Sequence, residues 1–228
     1  VSEENFDLIA EQYDEALPAH VVEHYLAKRV RYIVEHCPPG EALDVGCGTG
    51  ALAGRLSRSG FSVTGLDPSQ GMLDVMAEAE PTVTSVRGDG TQLPFPDESF
   101  DLTLTVAALH HIAEPDAVRR TLAEMARVTR AGGRIVIWDH NPRNPYWRSL
   151  MARVPQDDGS ERLVPESEIE RGLRDGGAEI LSSRQLGLVP DFVPPALLGG
   201  AVAIESAAER TPLVRRLCAH NVVLARRA

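Results

Sequence analysis

Positive charge is scarce in this 228-residue sequence: 23 Lys and Arg stand against 33 Asp and Glu, for a net charge of −10. Nucleic acid is therefore not expected as a partner, because phosphate binding draws on clustered Lys and Arg. The one local gathering, Arg143, Arg148 and Arg153, reads as a solvated face, with a small anionic substrate as the alternative. Cysteine is also sparse. Cys37, Cys47 and Cys218 have no metal-ligand spacing, and no metal site is expected. An odd, unpatterned set suits a reducing compartment. No secretory signal opens the chain. Long apolar runs are missing too. The longest, 192–204, is too short to span a bilayer and is broken by Pro194, Pro195, Gly199 and Gly200. Repeats and low-complexity segments are absent. Together these absences predict a soluble, cytoplasmic protein without stable membrane insertion.

Hydrophobic residues, at 43%, suffice for a substantial core, and the length suits one domain with an appended cap. Residues 1–38 read as a helical cap, with Val21, Val22, Tyr25, Leu26, Val30 and Ile33 at helical spacing. His20 and His24 on that cap read as surface or capping residues. Pro38, Pro39 and Gly40 then end the pattern. Strand-like segments at 42–45, 61–66, 82–86, 101–106 and 134–139 alternate with helix-like segments at 51–58, 69–79 and 115–131. Ser69 is a cap candidate and Pro115 sits in a first turn, while Gly132 and Gly133 are read as ending the third of these helices. Such alternation predicts an α/β fold: a parallel sheet with helices on both faces. A further helix at 165–175 and strands at 179–186 and 218–225 complete it. The core is thus assigned to 40–186 and 214–228, with 187–213 as a lid-like insertion.

The strongest local signal is Asp44-Val45-Gly46-Cys47-Gly48-Thr49-Gly50 at a strand-to-helix junction. Glycines there permit positive φ and let a ligand lie against the backbone at a helix N-terminus. Dinucleotide-binding folds use a related pattern. Asp67 ends the second strand, where an acid can accept from ribose hydroxyls. Asp89 follows the third strand, within reach of an adenine amino group.

In this order the motifs resemble those of class I S-adenosylmethionine-dependent methyltransferases, in the broad family that includes the quinone-methylating enzymes. The resemblance rests on the glycine loop, Gly65-Leu66-Asp67-Pro68-Ser69, Gly88-Asp89-Gly90, Leu93-Pro94-Phe95-Pro96-Asp97-Glu98-Ser99-Phe100-Asp101, Leu109-His110-His111-Ile112 and Arg130-Ala131-Gly132-Gly133-Arg134. It covers roughly 40–140. It implies a Rossmann-like three-layer sandwich with a seven-stranded sheet whose last strand is antiparallel and sits between the fifth and sixth. It further implies S-adenosylmethionine as cofactor. Asp44 and the backbone of Gly46, Cys47, Gly48 and Gly50 would hold the methionine end. Asp67 would hold the ribose, lined by Pro68, Ser69 and Met72. Asp89, Gly90 and Thr91 would meet adenine, Thr105 and Val106 would approach the sulfonium, and Tyr13 would close over the ligand.

The stretch 13–20 does not resemble the quinone enzymes' amino-terminal signature beyond Tyr13-Asp14, so a quinone acceptor is not implied. Catalytic candidates are His140, His111 and His110, because an imidazole accepts a proton near neutral pH. His140 leads, with Arg143 beside it for an anionic substrate group. The implied activity is methyl transfer to a small molecule. One alternative is a cofactor-binding module without catalysis. Another is an NAD-dependent oxidoreductase, disfavoured by Asp44 before the loop and by the absence of a Tyr-x-x-x-Lys pair.

Overall fold

The computed structural model describes residues 3–15, 17–152 and 161–228. Seven strands form one sheet in the order β3-β2-β1-β4-β5-β7-β6. In chain order they are β1 (Glu41–Val45), β2 (Ser62–Asp67), β3 (Thr84–Arg87), β4 (Phe100–Val106), β5 (Thr129–His140), β6 (Ala178–Leu186) and β7 (His220–Arg227). The first five run parallel, and β7 lies antiparallel between β5 and β6. The seven-stranded, mostly parallel sandwich expected from the sequence is the one found.

Helices cover both faces: α1 (Glu3–Ile9), α2 (Ala19–His36), α3 (Ala51–Arg58), α4 (Gln70–Ala79), α5 (Pro115–Val128), α6 (Tyr146–Met151), α7 (Glu166–Asp175), α8 (Leu198–Arg210) and α9 (Pro212–Arg215). The strands sort their side chains by the two-residue period of the pleat. Val136 and Trp138 of β5 face Ile33 of α2, Leu56 of α3 and Met76 of α4. Ile135 and Ile137 face Leu122 of α5 and Ile169 and Leu173 of α7. Burial on both faces makes these strands near-continuous apolar runs, as parallel sheets require.

Boundaries differ from the sequence reading in one informative place. α5 stops at Val128, and Thr129 is already extended and paired with Phe100. The Thr129 hydroxyl bonds Met125 O and the Thr103 hydroxyl, which anchors the strand start there. Gly132 and Gly133 therefore lie inside β5 rather than at a helix end, Gly132 at φ 81°. The helical cap is two helices, α1 and α2, joined by a short 3₁₀ turn at Ala10–Glu15. The helix α6 had no counterpart in the sequence reading.

Residues 187–213 hold a 3₁₀ turn and α8, with α9 running on to Arg215. Their anchor is buried and charged. Lys28, the chain's single lysine, donates to Glu205 Oε1 at 2.5 Å and to Glu209. Glu205 also binds His24 Nε2 at 2.9 Å and accepts from the amides of Leu188 and Val189. His20 Nε2 meets Val193 O at 2.7 Å. His20 and His24 thus tie α2 to this segment rather than decorating its surface. No described helix is long and apolar enough to cross a membrane.

Candidate functional site

A cleft opens along the carboxyl edge of the strands, divided into two connected chambers. Tyr13, Gly46, Gly48, Ala107 and His111 line both. The glycine loop makes the partition. Gly46 sits at φ 75°, and a Cβ there would lie 2.6 Å from Ala108 Cβ, so only glycine lets the loop pass the tip of β4. Gly48 faces open space, where a Cβ would meet no atom within 4 Å. On the far side Ala107 holds φ 54°, a region costly for a residue with a side chain. Its amide donates to Trp138 O at 2.8 Å, which secures the turn.

The smaller chamber, about 200 Å³, is lined by Asp67, Pro68, Met72, Asp89, Gly90 and Thr105 together with Phe6, Leu109 and Ile112. Asp67 braces the loop as well as facing the chamber. Its Oδ2 accepts from Gly48 N at 2.9 Å and its Oδ1 from Ser69 N at 3.0 Å. Asp89 accepts from both the amide and the hydroxyl of Thr91. Thr91 lies outside the chamber lining and holds Asp89 from behind. Ser69 is likewise a support, not a wall. Its hydroxyl caps α4 at Met72 N and donates to Asp7 on α1 at 2.6 Å. Gly50, at φ 78°, packs its α-carbon against Met76. The Thr105 hydroxyl is buried without a hydrogen-bond partner, an arrangement usually resolved by a ligand or water.

The larger chamber, about 260 Å³, takes Asp44, Cys47, Thr49 and Val106 from the sheet edge and Val21, Tyr25, Leu26 and Arg29 from α2. Burial, then the Asp67 carboxylate, push the Asp44 carboxyl up to about 7, with Arg29 opposing. Burial pulls the Arg29 guanidinium down from its ordinary value, with Tyr25, Tyr13, Asp139 and Asp44 opposing. Its Nε lacks a partner. An acid and a base thus stand in one wall.

The same chamber holds a histidine cluster. His110 and His140 lie 4.0 Å apart between ring centroids, as do His110 and His111. His140 stacks on Trp147 at 3.5 Å, and His220 from β7 lies 5.8 Å from His140. Asp139, fully buried, organises them. Its Oδ1 meets His110 Nδ1 at 3.0 Å and accepts from His140 N, while Oδ2 accepts from Leu109 N at 2.8 Å. Burial alone would raise this carboxyl, but His110 and these hydrogen bonds hold it below its ordinary value. Burial and the neighbouring His110 drive His140 well below the usual imidazole range, and burial with Arg29 lowers His220 to about 3. Both rings are therefore neutral. Ligand-type atoms of His110, Asp139 and His140 lie within 4.8 Å of one another, but both Asp139 oxygens already accept from N–H donors.

All three histidines named from the sequence come together, as do most of the cofactor candidates. Arg143 does not join them. It turns outward to Glu166 at 3.6 Å, and Arg153 lies outside the described residues. Phe6, Arg29, Trp147, Asp139 and His220 were missed. Arg29 left a trace, because 22, 26, 29 and 33 share one helical stripe and a charge interrupts it. His220 and Trp147 left none, since both reach the cleft from segments distant in sequence.

The methyltransferase-domain family matches residues 43–137. A demethylmenaquinone methyltransferase of Renibacterium salmoninarum is 34% identical over 160 residues, covering 66% of this chain and 65% of that protein. A phthiotriol/phenolphthiotriol dimycocerosates methyltransferase of Mycobacterium tuberculosis is 36% identical over 174 residues, covering 73% of this chain and 61% of that one. The chain thus spans less than two thirds of the length of these curated relatives. Among solved structures, a methyltransferase of Thermotoga maritima described as a possible histamine N-methyltransferase aligns with a TM-score of 0.72 at 19% identity, over 99% of both chains. Magnesium protoporphyrin IX methyltransferase from Synechocystis aligns with a TM-score of 0.62 at 17% identity, over 90% of this chain and 83% of that one. At such identities these two share the fold.

Proposed function

We propose that the chain is a class I S-adenosylmethionine-dependent methyltransferase that methylates a small organic acceptor held in the histidine-lined chamber. One observation carries the reading: the glycine loop splits the cleft into an acid-edged nucleoside chamber and a chamber whose wall pairs Asp44 with Arg29. Asp67 lies in the chamber wall, where its carboxylate would accept from ribose hydroxyls as well as from the backbone. Asp89 and Gly90 line the part of the smaller chamber where a base would lie. Asp44 would take the methionine ammonium and Arg29 its carboxylate, a match for a zwitterion. The unpartnered Thr105 hydroxyl supports a ligand at the tip of β4.

When bound, S-adenosylmethionine supplies a methyl group already activated on a sulfonium. The protein's part is alignment, worth up to roughly 7–11 kcal/mol in favourable cases. Tyr13, Val21 and Leu26 from the amino-terminal cap and Val189 from the 187–213 segment line the acceptor chamber, where they would cover the bound acceptor and exclude water. His110 takes the acceptor's proton. Asp139 accepts from Nδ1–H, which leaves Nε2 with the lone pair, as in other carboxylate-oriented imidazoles. His140, neutral and stacked on Trp147, orients the acceptor, and His111 closes the boundary between chambers. The relatives are named for demethylmenaquinone and for phthiotriol dimycocerosates, and both support a small-molecule acceptor without choosing one.

Calorimetry with S-adenosylmethionine, its demethylated product and NAD tests the first half of this reading. Binding of the two adenosyl ligands and not of NAD is expected; tight NAD binding overturns it. A screen of acceptors with labelled methyl donor, read by product mass, tests the second. On the acceptor so found, His110→Ala and His140→Ala should each lower turnover at least about tenfold, with cofactor affinity retained.

A further inference from the structure

Nine large hydrophobic side chains are exposed among the described residues, and six of them fall in one segment: Phe192, Leu197, Ile204, Leu213, Val214 and Leu217. The geometry of α8 explains part of this. Its inward face carries Glu205 and Ala208, buried against the body, while Gly200, Ala203, Ile204 and Ala207 fall on the outward face. Phe192 is 69% exposed and Ile204 65%. Exposed apolar side chains gathered in one segment mark an interaction site.

Charge identifies the partner. Between 192 and 217 the only carboxylates are Glu205 and Glu209, and both turn inward to Lys28. The outward charges are arginines, Arg210 and Arg216 exposed and Arg215 half-buried. In a chain of net charge −10, this face reverses the sign of the rest. Apolar side chains flanked by arginines suit an anionic lipid surface, where the rings and methyls enter the headgroup level and the guanidiniums meet phosphates. A second copy suits it less, because a two-fold contact would set these arginines against their own counterparts.

We infer that the face formed by Phe192, α8 and α9 docks on an anionic lipid surface. The docking stands apart from the chemistry in the cleft, but the two adjoin. Phe192 packs edge-on against Tyr146 at 5.9 Å, and Tyr146 bonds Asp191, both of them lining the larger chamber. On the methyltransferase reading, an acceptor dissolved in the bilayer would reach the chamber along this edge.

Flotation of the full chain with vesicles tests the docking without any turnover. Phosphatidylcholine vesicles with phosphatidylglycerol should carry the protein up, phosphatidylcholine alone should not, and added salt should release it. Phe192→Ser with Ile204→Ser should weaken vesicle binding at least about tenfold. Arg210→Gln and Arg216→Gln should each cost about fivefold. All four positions are exposed, so circular dichroism should be unchanged. Failure of the wild-type chain to float with phosphatidylglycerol overturns the inference, and so does wild-type binding by these variants. Sedimentation showing a dimer that the apolar pair breaks, with no vesicle binding, assigns the face to self-association instead. The methyltransferase reading survives any of these results, because it rests on cofactor binding and product mass.

Discussion

Asp139 and His110 come from different strand ends and meet inside the protein, Oδ1 to Nδ1, at 3.0 Å. The carboxylate is held by Leu109 N and His140 N as well, so its position is set by backbone and it fixes the ring in turn. A ring held this way presents one nitrogen as donor and keeps the other as acceptor.

Asp139→Asn should keep most of the backbone contacts and lose that control. Turnover at saturating cofactor should fall at least about tenfold, as expected when a general base is misdirected. Cofactor affinity by calorimetry should stay near wild type. Unchanged turnover would remove His110 from proton transfer.

Cofactor affinity should rise with pH. Asp44 sits near 7 in the free protein because burial and Asp67 favour its neutral form, and a bound ammonium would favour the carboxylate. Binding below about pH 7 must then release a proton, and affinity should fall by up to about tenfold per unit as pH drops further. Titration in two buffers of different ionisation heat reads the proton directly. Asp44→Asn should flatten the dependence; a flat wild-type profile between about pH 5 and 7 would separate Asp44 from the ligand.

Stability should fall in acid for a separate reason. Against the pull of burial, the His24 hydrogen bond and the Lys28 charge hold Glu205 down to about 2, below its ordinary 4.5. A depressed carboxyl stabilises the fold above its unfolded value, so this contribution is present above about pH 4.5 and lost as pH falls towards 2. Lys28→Met should cost about 3–5 kcal/mol by leaving buried carboxylate uncompensated. Hydrogen exchange should quicken between 187 and 210, and cofactor binding to the wild-type chain should slow it there and in α2.

Asp67→Ala should act twice. It removes the ribose acceptor and orphans the amides of Gly48 and Ser69, each worth about 1–3 kcal/mol if left buried and unpaired. Both the melting temperature and the cofactor affinity should drop. Loss of stability without loss of affinity would assign Asp67 to the loop alone.

Much of this was legible in the sequence because the information is local. The glycine loop, Asp67 and Asp89 announce themselves at strand ends, and the near-continuous apolar runs of β1, β4 and β5 follow from their burial on both faces. The limits are equally physical. Ser69 and Thr91 are polar residues beside a ligand cleft, yet their hydroxyls are committed to a helix cap and to Asp89, which no motif distinguishes from ligand contact. Gly132 and Gly133 look like a helix stop, but the Thr129 side chain ends the helix earlier. Trp147, His220 and Arg29 meet in the cleft only once α6, β7 and α2 have packed, and such long-range convergence is invisible to spacing.

The order β5-β7-β6 has a consequence for how the chain is made. β6 touches no strand except β7, and 187–219 must be synthesised between them. At the usual pace of translation that is an interval of about 2 to 7 s. An interval of the same order separates the emergence of β6 from that of β7, and within it a nine-residue strand has its backbone donors and acceptors unmatched while β5 shows a bare edge. Newly made chains on crowded polysomes would thus be most prone to pair with one another in that interval.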